Sequence, residues 1–202
     1  MYDFDVADVH GFVLAGGKST RMGQDKAFLE FESGKAIERA VALAQGVADK
    51  VFVVGDRVRF EVFAPTVQDV YLDRGPLGGI HAALSRAAAD LNLMIAVDLP
   101  RLKVPLLSYI VAEARAGGAI VTVPQVAGRL QPLSAVYRTE FGAIAEQALA
   151  EGRNKIDDLF SQVSTRVIDE PELARAGFSA ELFANVNTPA EYKSIVQRDA
   201  SS

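Results

Sequence analysis

A chain that runs an apolar strand straight into glycines and cations has few folds open to it, and this one does so within its first 26 residues. Val9-His-Gly-Phe-Val-Leu14 is a short run rich in β-formers, which predicts a buried strand. It empties into Leu14-Ala-Gly-Gly-Lys-Ser-Thr-Arg-Met-Gly-Gln-Asp-Lys26, and no regular pattern resumes until Ala27-Phe28-Leu29. Glycines let a backbone approach an anion closely and aim successive N–H groups at it. Arg21 and Lys18 supply fixed positive charge for an outer phosphate, and Lys26 adds a point charge at the far end of the loop. The stretch is neither a Walker loop nor the Gly-x-Gly-x-x-Gly of dinucleotide-binding folds. On its residues alone it reads as a phosphate cradle, with a solvated strand-to-helix turn as the alternative.

Downstream, helix and strand signals alternate. Residues 35–45 place Ile37, Ala40, Val41 and Ala44 on one helical face, with Gly46 as a stop. Residues 51–54 predict a buried strand ending at Gly55-Asp56-Arg57, and residues 67–72 a third strand broken by Asp73-Arg-Gly-Pro-Leu-Gly-Gly79. From there Ile80, Ala83, Leu84, Ala87 and Ala88 form the stripe of a helix packed on a sheet. A strand at 93–97 runs into Asp98-Leu-Pro100, followed by a helix at 104–116 and a strand at 119–123. Apolar strands alternating with helices predict an α/β fold: a three-layer Rossmann-like arrangement, its central sheet mostly parallel and covered on both faces. In such sheets ligands sit beyond the carboxyl ends of the strands. The Gly-rich loop, Asp56, Asp73 and Asp98 all fall there.

The second half is less regular. Residues 126–137 predict a turn and an extended segment antiparallel to the sheet, and 141–150 a helix stopped by Gly152. A short helix at 156–160, a strand at 165–168 and a last helix at 190–197 after Pro189 complete the expectation, with Thr188 as the cap. At 202 residues the whole chain suits one domain, regular over about 8–123 and less regular over about 124–198.

Composition narrows the function classes. A net charge of −5 leaves no broad basic face for a nucleic acid, so a phosphate must be held by a local site. The absence of cysteine removes disulfides, thiolate catalysis and Cys-based zinc sites together. No apolar run approaches a membrane span and the acidic N-terminus has no signal-peptide pattern, so no membrane partner is expected and the expected location is cytoplasmic. His10 falls inside a strand and His81 near a helix start, where packing or surface roles are expected rather than catalysis. Asp98 closes an apolar strand where a carboxylate has no packing role. It is suited to Mg²⁺, which takes few protein carboxylates together with phosphate and water oxygens. The competing reading is that Asp98, like Asp56 and Asp73, solvates a turn.

The string Leu-Ala-Gly-Gly-x-Ser-x-Arg-Met-Gly-x-Asp-Lys resembles the signature loop of the molybdenum cofactor guanylyltransferases, a branch of the nucleotidyltransferases. The resemblance extends to Gly75-Pro-Leu-Gly-Gly79, Asp98-Leu-Pro100 and Asn185-Val-Asn-Thr-Pro189. It implies transfer of GMP from GTP to molybdenum-loaded molybdopterin, with release of pyrophosphate and with Mg²⁺ as cofactor. It also implies transient contacts with cofactor-insertion proteins or molybdoenzymes. Carried over residue by residue, Arg21, Lys26 and Asp98 are catalytic, with Asp98 the metal ligand. Leu14, Ala15, Gly16, Gly17, Lys26, Asp56, Asp73, Gly78 and Asp98 contact the nucleotide, although the family usually has Asn where this chain has Asp56. Arg129, Gln131 and Pro132 fall in the family's Gln-Pro-Leu segment, and with Asn185 and Asn187 they line the acceptor groove. Lys155 is a further candidate phosphate contact. The resemblance thus implies a nucleotide-binding half at about 8–123 and an acceptor-binding half at about 124–198. Two alternatives stay open: a related transferase using CTP or a sugar or polyol phosphate acceptor, and a non-catalytic nucleotide-binding protein of the same fold.

Overall fold

The chain order explains the sheet. In a computed structural model, which describes residues 9–16, 25–31, 34–71, 73–186 and 188–199, the strands are β1 (Val9–Leu14), β2 (Glu30–Phe31), β3 (Gly34–Lys35), β4 (Lys50–Val54), β5 (Thr66–Val67), β6 (Leu91–Ala96), β7 (Val121–Val126), β8 (Arg129–Leu130), β9 (Ser134–Arg138) and β10 (Thr165–Ile168). The helices are α1 (Ala36–Gln45), α2 (Arg57–Phe60), α3 (Gly75–Arg86), α4 (Val104–Ala116), α5 (Phe141–Ala150), α6 (Asp157–Phe160), α7 (Glu170–Arg175) and α8 (Pro189–Asp199), with 3₁₀ turns at Lys26–Phe28 and Ala180–Phe183. The main sheet runs β10-β7-β9-β6-β1-β4-β5, with β8 paired to β7 and with β2 and β3 forming a separate hairpin. β1 is parallel to β4 and β6, and β4 to β5. β9 runs against its neighbours β6 and β7, and β8 against β7. The mostly parallel sheet with helices on its faces is the architecture expected.

The period-2 alternation of side chains sorts the strands between two cores. Val9 and Val13 of β1 join Leu91, Leu93 and Ile95 of β6 under α1 and α4. Phe12 and Leu14 join Met94, Val123 and Tyr137 under α3 and α5. His10 is buried between Phe12 and Phe52, and His81 packs edge-on against Tyr71, so both histidines serve packing. The last helix begins as a reciprocal cap: the Glu191 amide donates to Thr188 Oγ1 at 3.2 Å and the Thr188 amide to Glu191 Oε2 at 3.0 Å.

Three expectations need correction. The strand expected at 67–72 is only Thr66–Val67, at the sheet's edge, with Gln68 to Tyr71 leaving the ladder and Val70 exposed. β-propensity predicts the strand, but among the described residues no further strand lies beyond this edge to pair with it. Gly75-Pro-Leu-Gly-Gly79 does not precede α3 but forms its first turns, because Pro76 fits a helix start. At the other end α3 stops at Arg86, so Ala88 is exposed rather than part of the stripe. The short helices α2 and α7, the Ala180–Phe183 turn and the β2–β3 hairpin carry too few residues to show a period and were not foreseen.

Candidate functional site

The carboxyl ends of the two central strands form the floor of the site. β1 ends with Leu14 and Ala15 buried and Gly16 exposed. The Ala15 amide donates to the Val54 carbonyl at 3.0 Å and the Val97 amide to the Leu14 carbonyl at 3.4 Å, so adjacent strands hold the last turn of chain in register. Asp98 follows β6 directly. Its partner arrives from the end of the Gly-rich stretch: Asp25 accepts from the Ala27 amide at 3.0 Å and caps the Lys26–Phe28 turn, which presents Lys26 to the sheet edge. Lys26 Nζ lies 2.9 Å from Asp98 Oδ2, with the two side chains 20% and 19% exposed. A charge pair this sheltered, joining residues 72 apart in sequence, holds the loop end to the strand end.

The start of α3 closes a second side. A side-chain carbon on Gly78 would come within 2.9 Å of the Tyr71 carbonyl oxygen, and one on Gly79 within 3.1 Å of Leu14 Cδ2. Glycine at both positions lets the helix start lie against residues 69–71 and the end of β1. Between them sits Asp69. Its Oδ1 is buried with no hydrogen-bond partner, and its Oδ2 lies 3.7 Å from where a side chain on Gly16 would begin. Burial raises its pKa above the ordinary carboxylate value, and the charge of His81 partly counters that rise. An orphaned acceptor is costly to a folded protein, and such groups concentrate where a ligand supplies the missing donor. Sequence reasoning passed over Asp69. The signal was present, since a carboxylate inside the β-forming run Thr66-Val-Gln-Asp-Val-Tyr71 has no packing role, the same argument that selected Asp98.

The remaining expected residues fall in two groups. Gln131 and Asn185 reach the same edge of the sheet as Asp98. Pairing of Ser134 with Ile95 puts residues 131–133 beside the end of β6, where the Ala96 amide donates to the Leu133 carbonyl at 3.0 Å. The Val186 amide donates to the Asp98 carbonyl at 2.9 Å, which ties the Asn185 segment to the same residue. Arg129 is exposed in the β7–β8 hairpin, opposite Val126 at the carboxyl end of β7. Asp56 is exposed and its Oδ1 accepts from the Val58 amide at 2.9 Å, a cap for α2. Asp73 is exposed in a left-handed conformation with φ of 59° just before α3. Lys155 forms an exposed ion pair with Asp158 at 2.7 Å. Gly17, Lys18, Arg21 and Asn187 lie outside the described residues.

Among the described residues no group of three or more His, Asp or Glu side chains could hold a metal by itself. A single carboxylate at a strand end still fits Mg²⁺, which binds through one or two carboxylates when phosphates complete its shell. Among the described residues, no helix is long and apolar enough to cross a membrane.

Comparison with known proteins matches this geometry to a family. Residues 11–167 match the model of the MobA-like NTP transferase domain. A probable molybdenum cofactor guanylyltransferase of Carboxydothermus hydrogenoformans is 32% identical over 92% of this chain and 93% of its own length. A protein of the same description from Pelotomaculum thermopropionicum is 34% identical over 90% of this chain and 88% of its own. Among solved structures, molybdopterin-guanine dinucleotide biosynthesis protein A from Archaeoglobus fulgidus superposes with a TM-score of 0.83 at 23% identity, covering 96% of this chain and all of that one.

Proposed function

The chain belongs to the MobA-like NTP transferase domain family and is a nucleotidyltransferase, and from that premise we propose that it transfers GMP from GTP to molybdenum-loaded molybdopterin, forming the guanine dinucleotide cofactor and pyrophosphate. The observation that carries the reading is the Lys26–Asp98 pair at the mouth of the Gly-rich stretch, with the orphaned Asp69 on the other side of Gly16. Triphosphate and base then have separate receptors on one sheet edge. Asp69 can accept from guanine N1–H and the exocyclic amine together, an arrangement that cytosine does not offer. In this reading Asp69 makes the base contact, beside the nucleotide contacts that the resemblance gave to Asp56 and Asp73, while Asp56 serves first as a cap.

The reaction joins two anions, so the protein's work is positioning and charge neutralisation. The terminal phosphate of the acceptor attacks the α-phosphorus of GTP in line. A P–O bond forms there as the bond to pyrophosphate breaks, and no general base is required because the attacking phosphate is already ionised. Lys26 stabilises charge on the α-phosphate; Arg21 and the amides of Gly16 and Gly17 hold the departing pyrophosphate. Lys26 also neutralises Asp98 until phosphate oxygens compete for the ammonium group. Mg²⁺ held by Asp98 supplies Lewis-acid character at the phosphates. Gln131, Arg129, Asn185 and Asn187 form the acceptor's side, contributed by the second half of a chain that works as one domain, and the protein acts in the cytoplasm.

Pyrophosphate release tests this directly, with each of the four NTPs and with and without metal-loaded molybdopterin. Release that requires both GTP and the acceptor is expected. Equal release with CTP, or release indifferent to the acceptor, overturns the assignment of substrates while leaving the fold intact.

A further inference from the structure

The end of the Gly-rich stretch is held from a direction that the transfer mechanism does not use. Arg59, on the short helix α2, reaches back across the site's flank and forms an ion pair with Asp25 Oδ2. Its guanidinium also lies over two aromatic faces, 5.1 Å from the centre of the Phe28 ring and 5.2 Å from that of Phe60. Those rings are themselves stacked, 5.8 Å apart and 12° from parallel. A planar, permanently charged group suits this seat because it pairs with carboxylate along its edge and stacks through its face.

The two carboxylate oxygens of Asp25 divide their work. Oδ2 takes Arg59, and Oδ1 accepts from the Ala27 amide and sets the turn that carries Lys26. The Asp25 carbonyl accepts from the Phe28 amide at 3.1 Å, which completes that turn. Lys26 is thus placed between Asp98 on one side and a guanidinium-anchored cap on the other. α2 is fixed in turn by Asp56 and by Phe60, which is buried beneath Gly55 at the end of β4. A chain of contacts therefore runs from the β4–α2 corner through Arg59 and Asp25 to Lys26.

We propose that Arg59 is a positioning residue for the transfer reaction, acting through Asp25 to fix the orientation of the Lys26 turn. It rests on the reading of Lys26 as a catalytic cation. Arg59 touches neither Lys26 nor Asp98 in this role. Its influence is the geometry it imposes on Asp25: removing the guanidinium releases the cap's anchor while leaving the cap.

The test uses Arg59→Met, which keeps much of the stem packing, Arg59→Lys, Asp25→Asn, which keeps a capping oxygen without the charge, the Arg59→Met/Asp25→Asn double variant, and Lys26→Ala as reference. Amide hydrogen exchange at residues 26–29, kcat, KM for the nucleotide and melting temperature are measured on the same preparations. Arg59→Met is expected to speed exchange at Ala27 and Phe28 about tenfold with β1 and β4 unchanged, and to lower kcat about tenfold with KM changed less than threefold. Arg59→Lys should recover only part of both, because an ammonium cannot stack and pair at once. The double variant should be no slower than the worse single one, since both break the same link. Unchanged exchange and turnover in Arg59→Met, or losses that multiply in the double variant, overturn the proposal. If Lys26→Ala keeps native turnover, the reading of the active site fails instead, while the exchange result still decides whether Arg59 anchors the turn.

Discussion

Two carboxylates face the same edge of the sheet and are treated in opposite ways. Asp98 has an ammonium group at 2.9 Å. Asp69 has an oxygen buried without a partner, and burial pushes its pKa up. A paired carboxylate is held in place and its charge is already balanced, which suits a group that must later share oxygens with phosphate and metal. An orphaned one stores a demand for donors, which suits recognition of a base that carries N–H groups. In the proposed reading this difference separates chemistry from selection along one sheet edge, and substitutions can break or sharpen it.

The largest effect should come from the paired side. Lys26→Ala is expected to lower single-turnover transfer on the order of 100-fold or more while changing GTP affinity much less. Asp98→Asn should lose comparable rate and recover part of it at high Mg²⁺. Wild-type rates in both variants would remove the proposed centre altogether.

On the orphaned side, native protein should bind GTP at least about tenfold tighter than CTP, a difference of about 1.4 kcal/mol. Asp69→Asn should cost about 10- to 100-fold in GTP affinity, bring GTP and CTP close together, and leave kcat at saturation nearly unchanged. Calorimetric titration with both nucleotides reads this. A fall in kcat with affinity intact would mean that the two carboxylates do not divide their tasks.

Acidity sharpens the same contrast. Because the folded-state pKa of Asp69 lies above its unfolded value, the folded chain binds that proton more tightly. The group's contribution to stability is complete below the unfolded pKa and is lost as pH rises through the raised value. Asp69→Asn should therefore gain melting temperature relative to native protein at neutral pH and lose that advantage under acid conditions. GTP affinity of the native protein should fall as pH drops through the raised pKa, and that of the variant should stay flat over the same window. Parallel melting curves and titrations across the acid range decide it.

A smaller effect is expected at the helix start beside Asp69. Gly78→Ala forces a carbon toward the Tyr71 carbonyl and should destabilise the fold by about 1–3 kcal/mol, with a few-fold loss of GTP affinity as residues 69–71 shift. The smallest belongs to Asp56→Ala, which removes the α2 cap at a cost of about 1 kcal/mol. Thermal melts quantify both. A large loss of GTP affinity in Asp56→Ala would make Asp56 a nucleotide contact, as the resemblance implies.

Much of this was legible in the chain because it rests on local pattern. The runs at 9–14 and 104–116 carry their element type in their own periodicity, and the structure has both with the same bounds. The Thr188 cap follows from a hydroxyl next to Pro189 and is observed. Alternation of strands with helices was enough for a parallel sheet, and parallel strands put their carboxyl ends on one edge. What local pattern missed was short or relational. Two-residue strands and four-residue helices are too brief to show a period, and Gln68 to Tyr71 has the composition of a strand but, among the described residues, no strand to pair with.

The sequence by itself determined that a Gly-rich, basic stretch would follow a buried strand and that Asp98 would follow another, because strand ends and turn chemistry are written in consecutive residues. Only the tertiary structure decided that Lys26 meets Asp98 across 72 positions, that Asp69 sets its bare Oδ1 beside Gly79 and its Oδ2 toward Gly16, and that Arg59 steadies Asp25 from another helix. Pairing and burial are properties of side chains brought together from distant segments. No spacing within any one segment encodes them.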